Sequence, residues 1–188
     1  TLGGRIAKGL AVRLHRPVRL RTAAIVGSES PDLDAQLDGL AAGYRPDVAV
    51  IVVGGNDVTH RLPVATSVRH LDAAVRRLRA LGAEVVVGTC PDLGSLRPVP
   101  QPLRRIVSSL SRRLAVAQTD AARLAGAEPV DLRRSVGPMF FDEPEQMFSL
   151  DRFHPSALGY RRTAEALLPA VCRGAQRSVS TRPHSASR

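Results

Sequence analysis

Val48-Ala49-Val50-Ile51-Val52-Val53-Gly54-Gly55-Asn56-Asp57 is the stretch on which the fold turns. An unbroken apolar run closed by glycines is the pattern of a strand buried on both faces of a parallel sheet. Working outward, Glu84–Gly88 (EVVVG) repeats the pattern and Glu128–Asp131 reads as a short final strand. Upstream, Val18–Val26 is rich in β-branched residues and stops at Gly27, which reads as another strand. Between these lie helical periodicities. Leu2, Ile6, Leu10 and Leu14 mark a helix over 2–15, ended by Pro17, and Leu33, Leu37 and Leu40 mark a short one. Residues 64–81, 102–125 and 156–171 give three more, while 133–150 reads as irregular. Strands alternating with helices predict a parallel sheet covered on both faces. In such sheets ligands bind at the carboxyl ends of the strands, where Gly27 and Gly54–Asp57 both fall.

The 188 residues suit one domain, and 44% apolar residues suffice for a core. Residues 1–172 are read as that domain and 173–188, rich in Ser, Arg and Ala, as a disordered basic tail. The net charge is +10, with 26 arginines and one lysine (Lys8), a ratio that reflects a GC-rich genome as much as a charged partner. Arg173, Arg177, Arg182 and Arg188 place four of those charges outside the expected fold. With 3% aromatic residues and no Trp, rings for base stacking are scarce, so no nucleic-acid partner is expected. Peripheral contact with an anionic surface is compatible with the charge. No apolar run approaches the ~20 residues of a membrane span. Cys90 and Cys172 lack metal-ligand spacing, and their positions oppose a bridge. His15, His60, His70 and His184 have no acidic residue at useful spacing.

Two clusters carry chemistry. Asp151 stands three residues before His154, in a turn fixed by Pro155. A carboxylate there can hold one imidazole nitrogen and leave the other as a general base. The plainer alternative is that Asp151 caps the following helix and His154 is a surface residue. Asn56, after two glycines, can donate to an oxyanion, or can simply serve a strand-to-helix turn. Taken singly, each motif leaves both readings open.

Together, GGND after a strand and D-x-F-H-P-S before the last helix resemble the SGNH (GDSL-like) hydrolases. Gly54, Gly55, Asn56 and Asp57 match that family's G-x-N-D block; Asp151 and His154 match its D-x-x-H block; Gly27 falls where its second-block glycine does. The resemblance spans residues 2–171 and implies a three-layer α/β/α, flavodoxin-like sheet. It implies a serine hydrolase of carboxylic esters (lipid, O-acetylated glycan or another small acyl group) that uses no metal or cofactor. It implies His154 as base, Asp151 as its orienting partner, Asn56 and the Gly27 N–H as oxyanion donors, and Gly54, Gly55 and Asp57 as shaping residues.

One block is missing. No G-D-S occurs in the chain, which begins at Thr1 inside a helical pattern. The sequence is therefore expected to be a piece of a longer protein that lacks the first strand and its serine, and to be inactive alone. Ser28, Ser30, Ser149 and Ser156 occupy the wrong turns for a nucleophile. A second possibility is a catalytically inactive domain that keeps an acyl or glycan pocket. Localisation depends on the unseen N-terminus, with an exported or envelope setting suiting such an esterase.

Overall fold

The structure is a computed structural model that describes residues 1–181. Three parallel strands, β1 (Val48–Val52), β2 (Glu84–Gly88) and β3 (Glu128–Val130), lie in the order β1-β2-β3. Val48 pairs with Glu84 and Val52 with Gly88, while Val86 pairs with Glu128 and Gly88 with Val130. Side chains alternate across a strand. Accordingly Val86 enters one core, with Leu167 and Val171, and Val85 and Val87 enter another, with Leu71, Val75 and Ala122. Fully burying a valine stabilises the fold by about 1.5–3 kcal/mol, which is why this continuous run sits at the centre.

Helices α1 (Leu2–Leu14) and α9 (Ala157–Thr181) pack together on one face. Helix α2 (Leu33–Asp38) packs on α4 (Val64–Ala80), which with α5 (Leu103–Leu124) covers the other. Arginines fill the solvent side of α4 and the stripe through Leu71, Ala74, Val75 and Leu78 is buried, as its periodicity predicts. Within the expected turn at Gly54–Asp57, Gly55–Thr59 is already helical (α3). The stretch expected to be irregular contains three short helices: α6 (Leu132–Ser135), α7 (Gly137–Asp142) and α8 (Pro144–Met147).

Two expectations are corrected. The final helix does not stop at Val171 but continues to Thr181, so residues 173–181 are no disordered tail. Ala175 and Ser178 are buried, and two of the four charges assigned to the tail are engaged: Arg173 pairs with Glu128, and Arg177 with Glu84 and Glu128. Residues 182–188 lie outside the described residues.

The second correction concerns Val18–Val26, which forms no strand. A strand needs a neighbour about 4.8 Å away to complete its hydrogen bonds. Here a cavity of about 350 Å³ separates this segment from the edge of β1. Residues 18–24 all line it on one side, and all five residues of β1 line the other. Successive side chains of a strand point to opposite faces, so a lining made of consecutive residues means that the cavity runs along the hydrogen-bonding edge. Helix α1 closes it on one face through Leu2 and Ile6, and α2 on the other through Leu33 and Leu37. The result is a slot with the surroundings of an interior strand.

Candidate active site

The site is built on the exits of β1 and β2. Gly54 has φ +122°, and a Cβ there would lie 3.0–3.1 Å from Gln118, Leu114 and Cys90, so glycine alone fits. Gln118 is fully buried and joins the two exits: its Nε2 donates to the Val53 carbonyl (3.0 Å), and its Oε1 accepts from the Cys90 N–H (2.7 Å). Sequence reading missed this residue. The signal was a lone amide on the buried stripe of α5, between Leu114 and Ala122. Cys90 beside it is sealed from solvent, and burial, helped by Asp57 and Asp92, pushes its thiol far above the usual range. It is no reactive thiol, and both cysteines are free.

Asn56, on α3, donates from Nδ2 to the Ser28 carbonyl at 3.0 Å, so the structure brings Asn56 and the turn after Gly27 together. Gly27 itself has φ +83° and lies exposed at that turn. Asp57 is fully buried and accepts from both the N–H (2.9 Å) and the hydroxyl of Ser30. It ties the 28–30 loop to α3. Across the same loop, His60 Nδ1 meets Glu29 Oε1 at 2.5 Å, and His70 lies 3.6 Å from Asp34. Both histidines therefore have acidic partners, contributed by other elements, which local spacing did not reveal; His184 lies outside the described residues.

The second half of the site precedes α9. Arg173 and Arg177 near the end of α9 pair with the first residues of β3 and β2, so the start of the helix, 16 and 20 residues before them, points to the carboxyl edge of the sheet. There Phe148 bridges to Pro155, and the intervening turn holds Asp151 and His154. Asp151 Oδ2 lies 2.7 Å from His154 Nδ1. An ionised carboxylate only accepts, so Nδ1 carries the proton and Nε2 is the basic nitrogen. Asp151 Oδ1 accepts from the Ser149 hydroxyl (2.6 Å) and from the N–H groups of Phe153 and His154 (2.9 and 3.0 Å). The Ser149 hydroxyl first, then His154 and these two N–H groups, hold its carboxyl well below the usual range. Asp151 does not cap α9. That role falls to Ser156, whose Oγ accepts from the N–H groups of Leu158 and Gly159 at 3.1 Å. The Phe153 ring stands edge-on to His154, with centroids 5.2 Å apart, and Leu150 is fully exposed nearby in sequence.

The serines considered as nucleophiles are all engaged elsewhere: Ser28 accepts from Gln36, Ser30 donates to Asp57, Ser149 donates to Asp151 and Ser156 caps α9. Gly55, at the start of α3, has open space where a side chain would project.

Comparison with known proteins gives this arrangement a lineage. Residues 1–162 match the GDSL-like lipase/acylhydrolase family, and the chain belongs to it. It is 47% identical over 167 residues to the GDSL-like esterase Rv1075c of Mycobacterium tuberculosis, a match that covers 88% of this chain and 53% of that protein. The chain thus spans about half the length of that relative. Among solved structures, its fold is similar to LAE5, an alpha/beta hydrolase enzyme from the metagenome of Lake Arreo, Spain, with TM-score 0.74 at 20% identity, covering 91% of this chain and 81% of the other. It is also similar to the acetyl xylan esterase AlAXEase, with TM-score 0.71 at 20% identity and 90% of each chain covered. The α/β fold of the SGNH hydrolases, expected from the motifs, is the fold observed.

Proposed function

We propose that this chain carries the histidine and oxyanion-binding portion of a serine-hydrolase site for carboxylic esters. The nucleophilic serine comes from a strand that precedes Thr1 in the longer protein and enters the slot beside β1. The observation that carries this reading is the Asp151–His154 pair: a solvent-facing imidazole held through Nδ1 at 2.7 Å by a carboxylate whose second oxygen is fixed by three further donors. Family membership supports ester hydrolysis as its use.

In the proposed reaction the serine Oγ attacks the ester carbonyl while His154 Nε2 takes its proton. Asp151 holds the tautomer and stabilises the imidazolium that forms. Negative charge collects on the carbonyl oxygen. Asn56 has two amide hydrogens; one is bound to Ser28 and fixes the amide plane, which leaves the other for the oxyanion, beside the Gly27 N–H. The C–O bond then breaks and the alcohol leaves with the proton from Nε2. Water, deprotonated by the same nitrogen, releases the acid. Gly54, Gly55 and Asp57 shape this floor, and no metal or cofactor takes part. Phe153 and Leu150 offer apolar surface for an acyl group of a lipid, an acetylated glycan or a smaller ester.

Hydrolysis of p-nitrophenyl acetate and butyrate tests this, comparing the chain, a form extended to its natural start, and that form with His154→Ala. Activity only in the extended form, reduced by about 10³-fold or more without His154, is expected. His154-dependent turnover by the chain itself would mean that the nucleophile lies within it. If neither form turns over, a binding domain for an acyl or glycan ligand becomes the better reading.

A further inference from the structure

Beside the loop that follows β2 lies an open cleft of about 460 Å³, bounded by the first turns of α5 and by Phe141 of α7. Arg97, Arg104, Arg105 and Arg112 all line it, together with Gln101 and Ser108, and no carboxylate is among its lining residues. Several arginines elsewhere are neutralised: Arg76 meets Asp72, Arg77 meets Asp38, Arg79 meets Glu84, and Arg173 meets Glu128. Among the described residues, Arg112 is the one cleft arginine that approaches a carboxylate, Asp92 at 3.4 Å. That carboxylate is nearly buried behind the cleft and also accepts from the Gly94 N–H. Among the described residues, Arg104 and Arg105 have no carboxylate within ion-pairing distance, and Arg97 reaches only the Phe141 carbonyl, at 3.4 Å.

Holding four guanidinium groups around one concavity costs self-repulsion that an anion removes, and the concave shape focuses their field. Guanidinium forks match tetrahedral oxyanions, each offering two parallel N–H donors. Ser108 adds a hydroxyl: its Oγ accepts from Arg112 at 2.6 Å, which leaves its own hydrogen to donate. The N–H groups of Arg104, Arg105 and Ile106 in the first turn of α5 already donate to the Pro100 and Pro102 carbonyls, so a ligand here is held mainly by side chains. We infer that this cleft is a binding site for a phosphate group, distinct from the Asp151–His154 pair and independent of whether the chain hydrolyses esters.

The full chain is titrated with inorganic phosphate at constant ionic strength, followed by calorimetry and melting temperature. Three forms are compared: the unaltered chain, Arg104→Gln with Arg105→Gln, and a charge-matched control, Arg113→Gln with Arg123→Gln, at exposed positions outside the cleft lining. Sedimentation with phosphatidylcholine vesicles, with and without phosphatidic acid, forms the second arm. Saturable phosphate binding weakened at least tenfold in the first variant and unchanged in the control is the expected result, and it assigns a soluble phosphate source. Sedimentation with phosphatidic acid that is lost only in the first variant also supports the site and assigns a lipid headgroup. Equal binding by all three forms, or none by the unaltered chain in either arm, overturns it.

Discussion

The two ends of the sheet use charge in opposite ways. At the amino ends of the strands, Glu84 receives Arg79 (2.5 Å) and Arg177 (2.7 Å), while Glu128 receives Arg173 and Arg177. Both glutamates are largely buried, and these pairs clamp the last turns of α9 to β2 and β3. At the carboxyl ends Asp57 is buried, but the Asp151–His154 pair stands in solvent: each is about half exposed, and their partners come from the same short turn. Long-range pairing makes one end an anchor. Local pairing leaves the other end open to a ligand, with its groups aligned in advance.

Substitutions at the two ends should therefore separate activity from stability. After the loss expected for His154→Ala, the largest effect is expected from Asn56→Ala in the form extended to its natural start: a fall of about 10²–10³ in kcat, with little change in KM or melting temperature. Comparable losses of stability and activity would place Asn56 with the anchor. Next is Glu84→Gln. Burial raises the Glu84 carboxyl, but the hydrogen bonds from Arg79 and Arg177 outweigh it and leave it below its ordinary value. Losing those charged partners should cost about 1–2 kcal/mol, or roughly 2–8 °C in Tm, without altering turnover. Because its folded value lies below the unfolded one of about 4.3, that cost should be complete above this pH and shrink as pH falls through the folded value. Smallest is the thermal effect of Asp151→Asn, since the carboxylate is exposed and its pairing screened by water. Its folded value is depressed far more, so the small gap in Tm should persist well below pH ~4 before closing. A gap that closes at the same pH as for Glu84 would show that the Ser149 and backbone donors do not hold Asp151.

What the sequence made readable was local. Val48–Val52 and Glu84–Gly88 were legible because burial on both faces leaves an unbroken apolar run, and Asp151 and His154 because three residues and one turn hold both. What escaped depends on distant partners. Val18–Val26 has strand composition, yet a strand exists only with a neighbour, and its side of β1 is an open slot. The end of α9 looked structureless because its anchors, Glu84 and Glu128, lie 93 and 45 residues away. Its buried residues, Ala175 and Ser178, are too small to raise a periodic signal. Gln118 gave a faint sign, since a buried amide on an apolar stripe needs partners, but nothing nearby said which.

That amide has a consequence for motion. By bonding to Val53 and Cys90 at once, Gln118 makes the floor beneath Asn56 part of the α5 packing rather than part of the surface loops. The Cys90 N–H, although it lies beyond the end of β2, is then released to solvent only when α5 lifts away. The turn around His154 is held by groups of its own Ser149, Asp151 and Phe153, so its opening would leave that floor intact.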